Sequence, residues 1–167
     1  MFLQCPRAPL WRRLAAIVYD ALVLCALWMF AGFIAALLVQ ALVSLKLVNL
    51  QGYVDLADYM NTSWRRWVYL GYFALVTLWF YLYFWRKAGQ TLGMRAWRLL
   101  LLSSDGKPLS MRQALLRLLC ALGGLGNFWL WLRFGKGLAL QDQLAGTVVV
   151  VLTKEQSQAL NLHKQAR

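Results

Sequence analysis

Four ionisable residues lie in surroundings where charge is costly. Asp20 is the only charged residue in the otherwise apolar run from Leu14 to Leu45, 32 residues long. Arg13 stands at the head of that run, Arg117 inside a second apolar segment, and Asp142 directly before a β-branched stretch. An ionisable group at the centre of a spanning helix costs about 2.5–3.5 kcal/mol on insertion scales, so it is kept when it faces a partner, a cavity or a pathway. Arg13 and Asp20 are seven apart, two helical turns, and share one face. At 1.5 Å per residue they are about 10.5 Å apart along the axis, which strains a direct ion pair and leaves room for a third group. Asp142 is the leading candidate for it. With Arg13 and Arg117 against Asp20 and Asp142, the four would form a neutral quartet. Two roles fit such a quartet. It binds an ion or proton, or it latches the first apolar segment to the rest of the fold, as buried ion pairs do when they specify structure rather than chemistry.

A second, smaller candidate follows the basic pair Arg86-Lys87. Gly89, Thr91 and Gly93 could form a tight turn whose backbone N–H groups remain available to an anion, a lipid phosphate being the nearest. The alternative is a plain turn leading into a strand, because glycine punctuates turns everywhere. No nucleophile–base pair, Walker-type loop or metal-ligand spacing is present, so neither enzyme activity nor a cofactor is expected. Cys5, Cys25 and Cys120 form no close pair. The lone His163 lies in a polar tail, which argues against zinc.

The elements that must position these residues are dictated by composition. Apolar residues make up 61% of the 167-residue chain, charged residues only 14%, and yet the net charge is +12. Soluble domains average about 45–50% apolar residues. The combination indicates a membrane protein with basic flanks rather than a nucleic-acid binder, which would set its Lys and Arg on a soluble fold. A bilayer-crossing helix needs about 20 apolar residues. Leu14–Leu45 exceeds that, and it is also far longer than the roughly 7–15 residues of a signal-peptide core, so an uncleaved first span is expected. The second span is Trp67–Trp85, 19 residues without a charge and aromatic at both ends. The loop 46–66 between them carries +1, the N-terminal 13 residues +3, and residues 86–112 +5. The positive-inside rule then puts both termini in the cytoplasm.

Smaller elements follow from local signals. Pro6 and Pro9 keep the basic arm 1–9 from being helical. Val54–Met60 is expected as a short interfacial helix. Arg95–Ser103 reads as strand, Ser103-Ser104-Asp105-Gly106 as a turn, and Ser110 with Gln113 as the N-cap of a following helix. The segment Leu115–Leu132 is broken by Gly123-Gly124-Leu125-Gly126-Asn127, and neither half can cross a bilayer. Thr147–Thr153 is β-branched and reads as strand. Its only candidate partner is Trp97–Leu102; if the two pair, the segment 113–134 between them must dip in and return, or lie in the interface, the alternative being that it crosses whole as a third span. The fold class expected is a helical membrane protein: two long transmembrane helices, a re-entrant or interfacial helix pair, and a small cytoplasmic two-stranded sheet. Residues 10–152 form the membrane domain, and the polar tail 153–167 is expected to fray.

Three motifs in order resemble the RDD family. Trp11-Arg12-Arg13-Leu14-Ala15-Ala16-Ile17-Val18-Tyr19-Asp20 is similar to its first-span signature. Gly89-Gln90-Thr91-Leu92-Gly93-Met94-Arg95 is similar to its post-span loop, and Asp142-Gln143-Leu144-Ala145-Gly146-Thr147-Val148-Val149-Val150 to its closing motif. The resemblance covers roughly residues 10 to 152. The family is named for one arginine and two aspartates, which map onto Arg13, Asp20 and Asp142. It implies a small bacterial inner-membrane protein, with suggested roles in transport of unidentified ligands and, for some members, sodium/proton exchange. Leu140-Gln141 precedes Asp142 where many members carry a histidine, so a mechanism resting on that histidine does not carry over. Two spans cannot enclose a polar pathway. Transport therefore implies a homo-oligomer or a larger membrane partner, and the competing expectation is a non-catalytic accessory or assembly protein. The lipid bilayer is the partner common to both.

Overall fold

The computed structural model describes residues 2–121, 127 and 139–165, with the side chains of 161–165 excepted. The remainder of the Gly123–Asn127 break and most of the second half of the expected re-entrant pair lie outside the described residues, as does the side chain of His163. The described chain runs from a 3-10 turn (Phe2–Gln4) through α1 (Leu10–Ser44), α2 (Leu56–Asn61), α3 (Trp64–Ala88), α4 (Leu92–Ala96), β1 (Leu99–Ser103), α5 (Met111–Ala121), α6 (Leu140–Ala145), β2 (Thr147–Val151) and α7 (Lys154–Gln165). It divides into two compact units, Met1–Leu22 with Phe80–Arg167, and Val23–Trp79.

The unit Val23–Trp79 holds the larger parts of α1 and α3. Both helices are long and apolar enough to cross a membrane, and only 11% and 6% of their most apolar windows are buried, unlike the core helix of a soluble protein. α1 begins four residues before the expected Leu14 and α3 three before Trp67, because polar first turns cost a helix little when its later turns are apolar. Within this unit the two helices meet at Gly32, where a β-carbon would come within 3.1 Å of the Tyr69 hydroxyl. Trp28 Nε1 donates to Thr77 Oγ1 at 3.0 Å and the Tyr72 hydroxyl to the Ala31 carbonyl at 3.3 Å. Such interhelical polar bonds suit a medium without water. α2 is capped by Asp55, whose side chain accepts from the Asp58 N–H.

The other unit is built on a two-stranded antiparallel sheet, with Leu99 paired to Val151 and Ser103 to Thr147. Successive side chains of a strand point to opposite faces, and every residue of β1 is buried, so both faces are covered. Leu99 and Leu101 join Ala16, Trp85, Met94, Leu109 and Ala114 on one side. Leu100 and Leu102 join Val150 and Leu152 on the other, against Phe2, Cys5 and Leu160. The sheet edges are covered as well. The N-terminal arm bridges β2 at Arg7–Val150, with Ala8 N–H donating to the Val149 carbonyl at 2.9 Å. On the β1 side, Leu101 N–H donates to the Gly89 carbonyl at 2.8 Å. A two-stranded sheet with bare edges would be a template for aggregation.

Two expectations are corrected here. Arg95 and Ala96 close α4 rather than open a strand, because Thr91 accepts from the Met94 N–H and starts a helical turn. The strand begins only after Arg98, which takes a left-handed φ of 56°. The tail continues as a helix over Lys154–Gln165. Thr153 and Gln156 form a reciprocal cap (Gln156 N–H to Thr153 Oγ1 at 3.2 Å, Thr153 N–H to Gln156 Oε1 at 3.0 Å). Leu160 then docks α7 on the sheet. The pairing of Ser110 with Gln113 at the head of α5 follows the same scheme.

Candidate functional site

All seven sequence-singled residues lie in the sheet-bearing unit, and six of them gather into two clusters rather than one quartet. The first is a charged triad. Arg13 Nη1 donates to Asp142 Oδ2 at 2.6 Å, and Arg117 Nη1 donates to Asp142 Oδ1. Asp142 is fully buried, Arg13 is 5% exposed and Arg117 6%. Each element contributes through its geometry. Arg13 lies on the first turns of α1, with its Nε also donating to the Ala8 carbonyl at 3.1 Å, which pins the guanidinium plane. Arg117 lies on the inner face of α5, its Nη1 shared with Thr147 Oγ1 at 2.8 Å and its guanidinium 5.4 Å from the centre of the Trp85 ring. Asp142 is the third residue of α6, a helix whose N-cap Ala139 makes no side-chain bond.

Electrostatics fix the state of this triad. Burial raises the carboxyl pKa of Asp142, but Arg117 and then Arg13 outweigh it, so the group is held below the ordinary carboxylate range and stays ionised at neutral pH. The triad carries two positive charges and one negative. Among the described residues no second carboxylate lies within ion-pair distance of either arginine.

The second cluster is centred on Asp20, 3% exposed. Thr91 donates its hydroxyl to Asp20 Oδ2 at 2.5 Å, and Gly93 N–H donates to Asp20 Oδ1 at 2.8 Å. Thr91 also accepts from Met94 N–H at 3.2 Å, so Asp20 sits on the N-terminus of α4, where free N–H groups favour negative charge. Gly93 is required by this approach. A β-carbon there would run into the Ala16 carbonyl oxygen and come within 2.9 Å of Asp20 Oδ1. Gly89 is required for a different reason: its φ is +63°, and a β-carbon would sit 2.9 Å from the Leu101 carbonyl oxygen.

Two readings of the sequence are thereby corrected. Asp142 does not sit between Arg13 and Asp20, because both of its oxygens are taken up by arginines from two elements. Asp20 has no arginine within 4 Å among the described residues; hydroxyl and amide donors at α4 reach it instead. The turn Gly89–Gly93 does hold an acidic group through Thr91 and Gly93, but that group is the chain's own Asp20 carboxyl rather than a lipid phosphate. Gly89 takes no part, since its N–H donates to the Trp85 carbonyl at 3.1 Å.

Thr147 and the Ala8 carbonyl were not legible as partners. Neither carries a spacing signal, although Thr147 falls inside the closing motif. A further polar contact, Gln141 Nε2 to Asn127 Oδ1 at 2.7 Å, extends the polar interior beside Asp142. Among the described residues no three His, Cys, Asp or Glu side chains are grouped as metal ligands.

The sequence model of the RDD family matches residues 7–153, most of the chain, and so spans both clusters. No curated protein and no solved structure matches. Together with two exposed apolar helices, the match points to a membrane protein. The chain belongs to the RDD family.

Proposed function

We propose that the protein is a non-catalytic, multi-pass protein of the bacterial inner membrane, with both termini in the cytoplasm, that serves as an accessory or assembly partner of another membrane protein. In this reading the two clusters are a latch that ties the N-terminal turns of α1, from Arg13 to Asp20, to α4, α5 and α6 of the same unit. One observation carries it: both oxygens of Asp142 and both of Asp20 are engaged by donors from the chain itself. A metal cation would have to displace them, and at Asp142 it would meet two guanidinium groups. Cation binding at Asp142 is therefore disfavoured by charge as well as by geometry.

A second reading is favoured by Asp20 alone. It is a buried carboxylate with no cationic partner among the described residues, the kind of group that takes up a proton. Proton-coupled transport through it would need a homo-oligomer or a larger partner to complete the pathway. Purified protein in liposomes with an imposed pH or sodium gradient separates the two. The latch predicts flux equal to that of empty liposomes, and a lower unfolding temperature for Asp20→Asn. Flux above that background, abolished by Asp20→Asn, replaces the latch with transport.

A further inference from the structure

α5 is built inside out. Its buried side carries Ala114 and Arg117, with Gln113 and Leu118 half-buried beside them, while Met111, Arg112, Leu115, Leu116 and Leu119 are exposed. Leu119 is 71% exposed and Leu116 48%. The neighbouring α6 repeats the inversion in part: Gln141 and Asp142 are buried along with Ala145, and Leu144 is 59% exposed beside the exposed Gln143. A helix at a water surface does the reverse, with its apolar stripe facing the core. The same unit contains the ordinary arrangement too, in a sheet whose leucines are buried on both faces. The inversion is thus local: it recurs at the start of α1, where Arg13 and Asp20 are buried and Trp11, Val18 and Tyr19 are exposed, and it does not extend to the sheet.

We infer that the outer face of α5 lies in the headgroup–acyl boundary of the bilayer, with its N-terminal end at the phosphates and its C-terminal end deeper among the acyl chains. The inference rests on the membrane reading above and goes beyond it by giving α5 a depth and a direction. Polarity along the exposed face sets the direction. Arg112 stands in the first turn, and from Leu115 to Leu119 every exposed residue is leucine. Arg112 can extend its stem along apolar surface and leave its guanidinium at the headgroups. Eleven residues make a helix about 16 Å long, half of a roughly 30 Å hydrocarbon core, so α5 stays within one leaflet.

Charge selects lipid over a second copy of the chain. Arg86, Lys87, Arg95, Arg98, Lys107 and Arg112 are all exposed in this unit, whereas the acidic residues exposed there are Asp105 and Glu155. Pairing this unit with its own copy would bring like charges together, which is costly at an interface. Anionic headgroups are attracted by the same residues.

The test uses the full chain in nanodiscs containing anionic lipid, with Cys5, Cys25 and Cys120 replaced by alanine. Nitroxide labels are placed singly at Met111→Cys, Leu115→Cys and Leu119→Cys. Leu37→Cys in α1 reports the span, and Ser104→Cys in the β1 turn reports water. The expected result is an oxygen-to-nickel-chelate collision ratio that rises in the order 111, 115, 119, with position 119 several-fold above 104. A ratio at 119 equal to that at 104, while 37 reads as buried in lipid, overturns the inference and leaves the membrane reading intact. A water-like value at 37 overturns the membrane reading itself. Spin–spin broadening at 119 that persists when protein is diluted to one copy per several nanodiscs' worth of lipid assigns the face to a second copy, and also overturns it.

Discussion

Replacing Asp142 by asparagine is the sharpest perturbation of the triad, because it keeps the shape and removes the charge. Wild type holds two guanidinium groups against one carboxylate with no exposure of Asp142. The asparagine carbonyl can still accept from one arginine, but its amide N–H groups face the other, and two cations are left buried without an anion. Removing one partner of a buried pair costs about 3–5 kcal/mol. Summing the lost bonds gives a similar figure, about 1.5–3 kcal/mol for each bond to a charged group. At roughly 2–4 °C per kcal/mol for a chain of this size, thermal unfolding in detergent should shift down by about 6–20 °C. Acid sensitivity gives an independent reading of the same variant. The folded pKa of Asp142 lies below its unfolded value, burial being outweighed by Arg117 and Arg13. Its stabilisation is then fully present above the unfolded pKa of about 3.9, and is lost as pH falls through the lower folded value. The wild-type unfolding temperature should therefore drop more steeply on acidification below about pH 4 than that of Asp142→Asn. A loss of under about 1 kcal/mol, the scale of an exposed pair, together with parallel acid limbs, would refute the account of the triad.

The remaining predictions concern the second cluster and the apolar replacement of the first. Gly93→Ala should destabilise by about 1–3 kcal/mol through overpacking against Ala16 and Asp20, whereas Gly71→Ala, with nothing within 4 Å of its β-carbon, should be neutral or stabilising in the same melt. Thr91→Val should cost about 1–3 kcal/mol by leaving Asp20 short of a donor, and Thr91→Ser should recover most of it. Ser110→Ala removes the α5 cap and should cost about 1 kcal/mol, read by denaturant titration. The triple variant Arg13→Met/Asp142→Leu/Arg117→Met replaces the whole triad by apolar side chains. Such swaps are often neutral or stabilising, so recovery of the wild-type unfolding temperature is expected, and a melt no better than that of Asp142→Asn would contradict it.

Much of this arrangement is legible in the sequence because it follows from local rules. The apolar runs fix α1 and α3, the β-branched stretch fixes β2, the run of leucines before Ser103 fixes β1, and Ser110 with Gln113 marks the head of α5. The identity of the polar residues was equally plain, since Arg13, Asp20, Arg117 and Asp142 are charges where charge is rare. Their partnership was not. Helical spacing shows that Arg13 and Asp20 share a face, but not which neighbour each one meets, because that depends on where α4 and α6 arrive in space. Thr91 and Gly93 looked like a loop that could hold an anion, and nothing local says that the anion comes from 71 residues upstream. The helical tail is not legible for a similar reason. Its composition is polar, and what orders it is a cap at Thr153 and one docking leucine.

The separation of the clusters explains why one helix carries two charges of opposite sign. A smooth apolar helix could rotate about its axis or slide along it at little cost, since one apolar face resembles another. A single polar anchor would limit the slide and still permit a swing. Two anchors on one face, about 10.5 Å apart along the axis and bound to different elements, remove both freedoms: Arg13 fixes α1 to α6 and α5, and Asp20 fixes it to α4. Opposite signs make the arrangement directional as well. Displaced by two turns one way, α1 would set Asp20 where Arg13 meets Asp142; displaced by two turns the other way, it would set Arg13 at the N-terminus of α4, and each of these contacts would be unfavourable. The cost of burying each charge is thus offset in one alignment only, which is the property a latch requires.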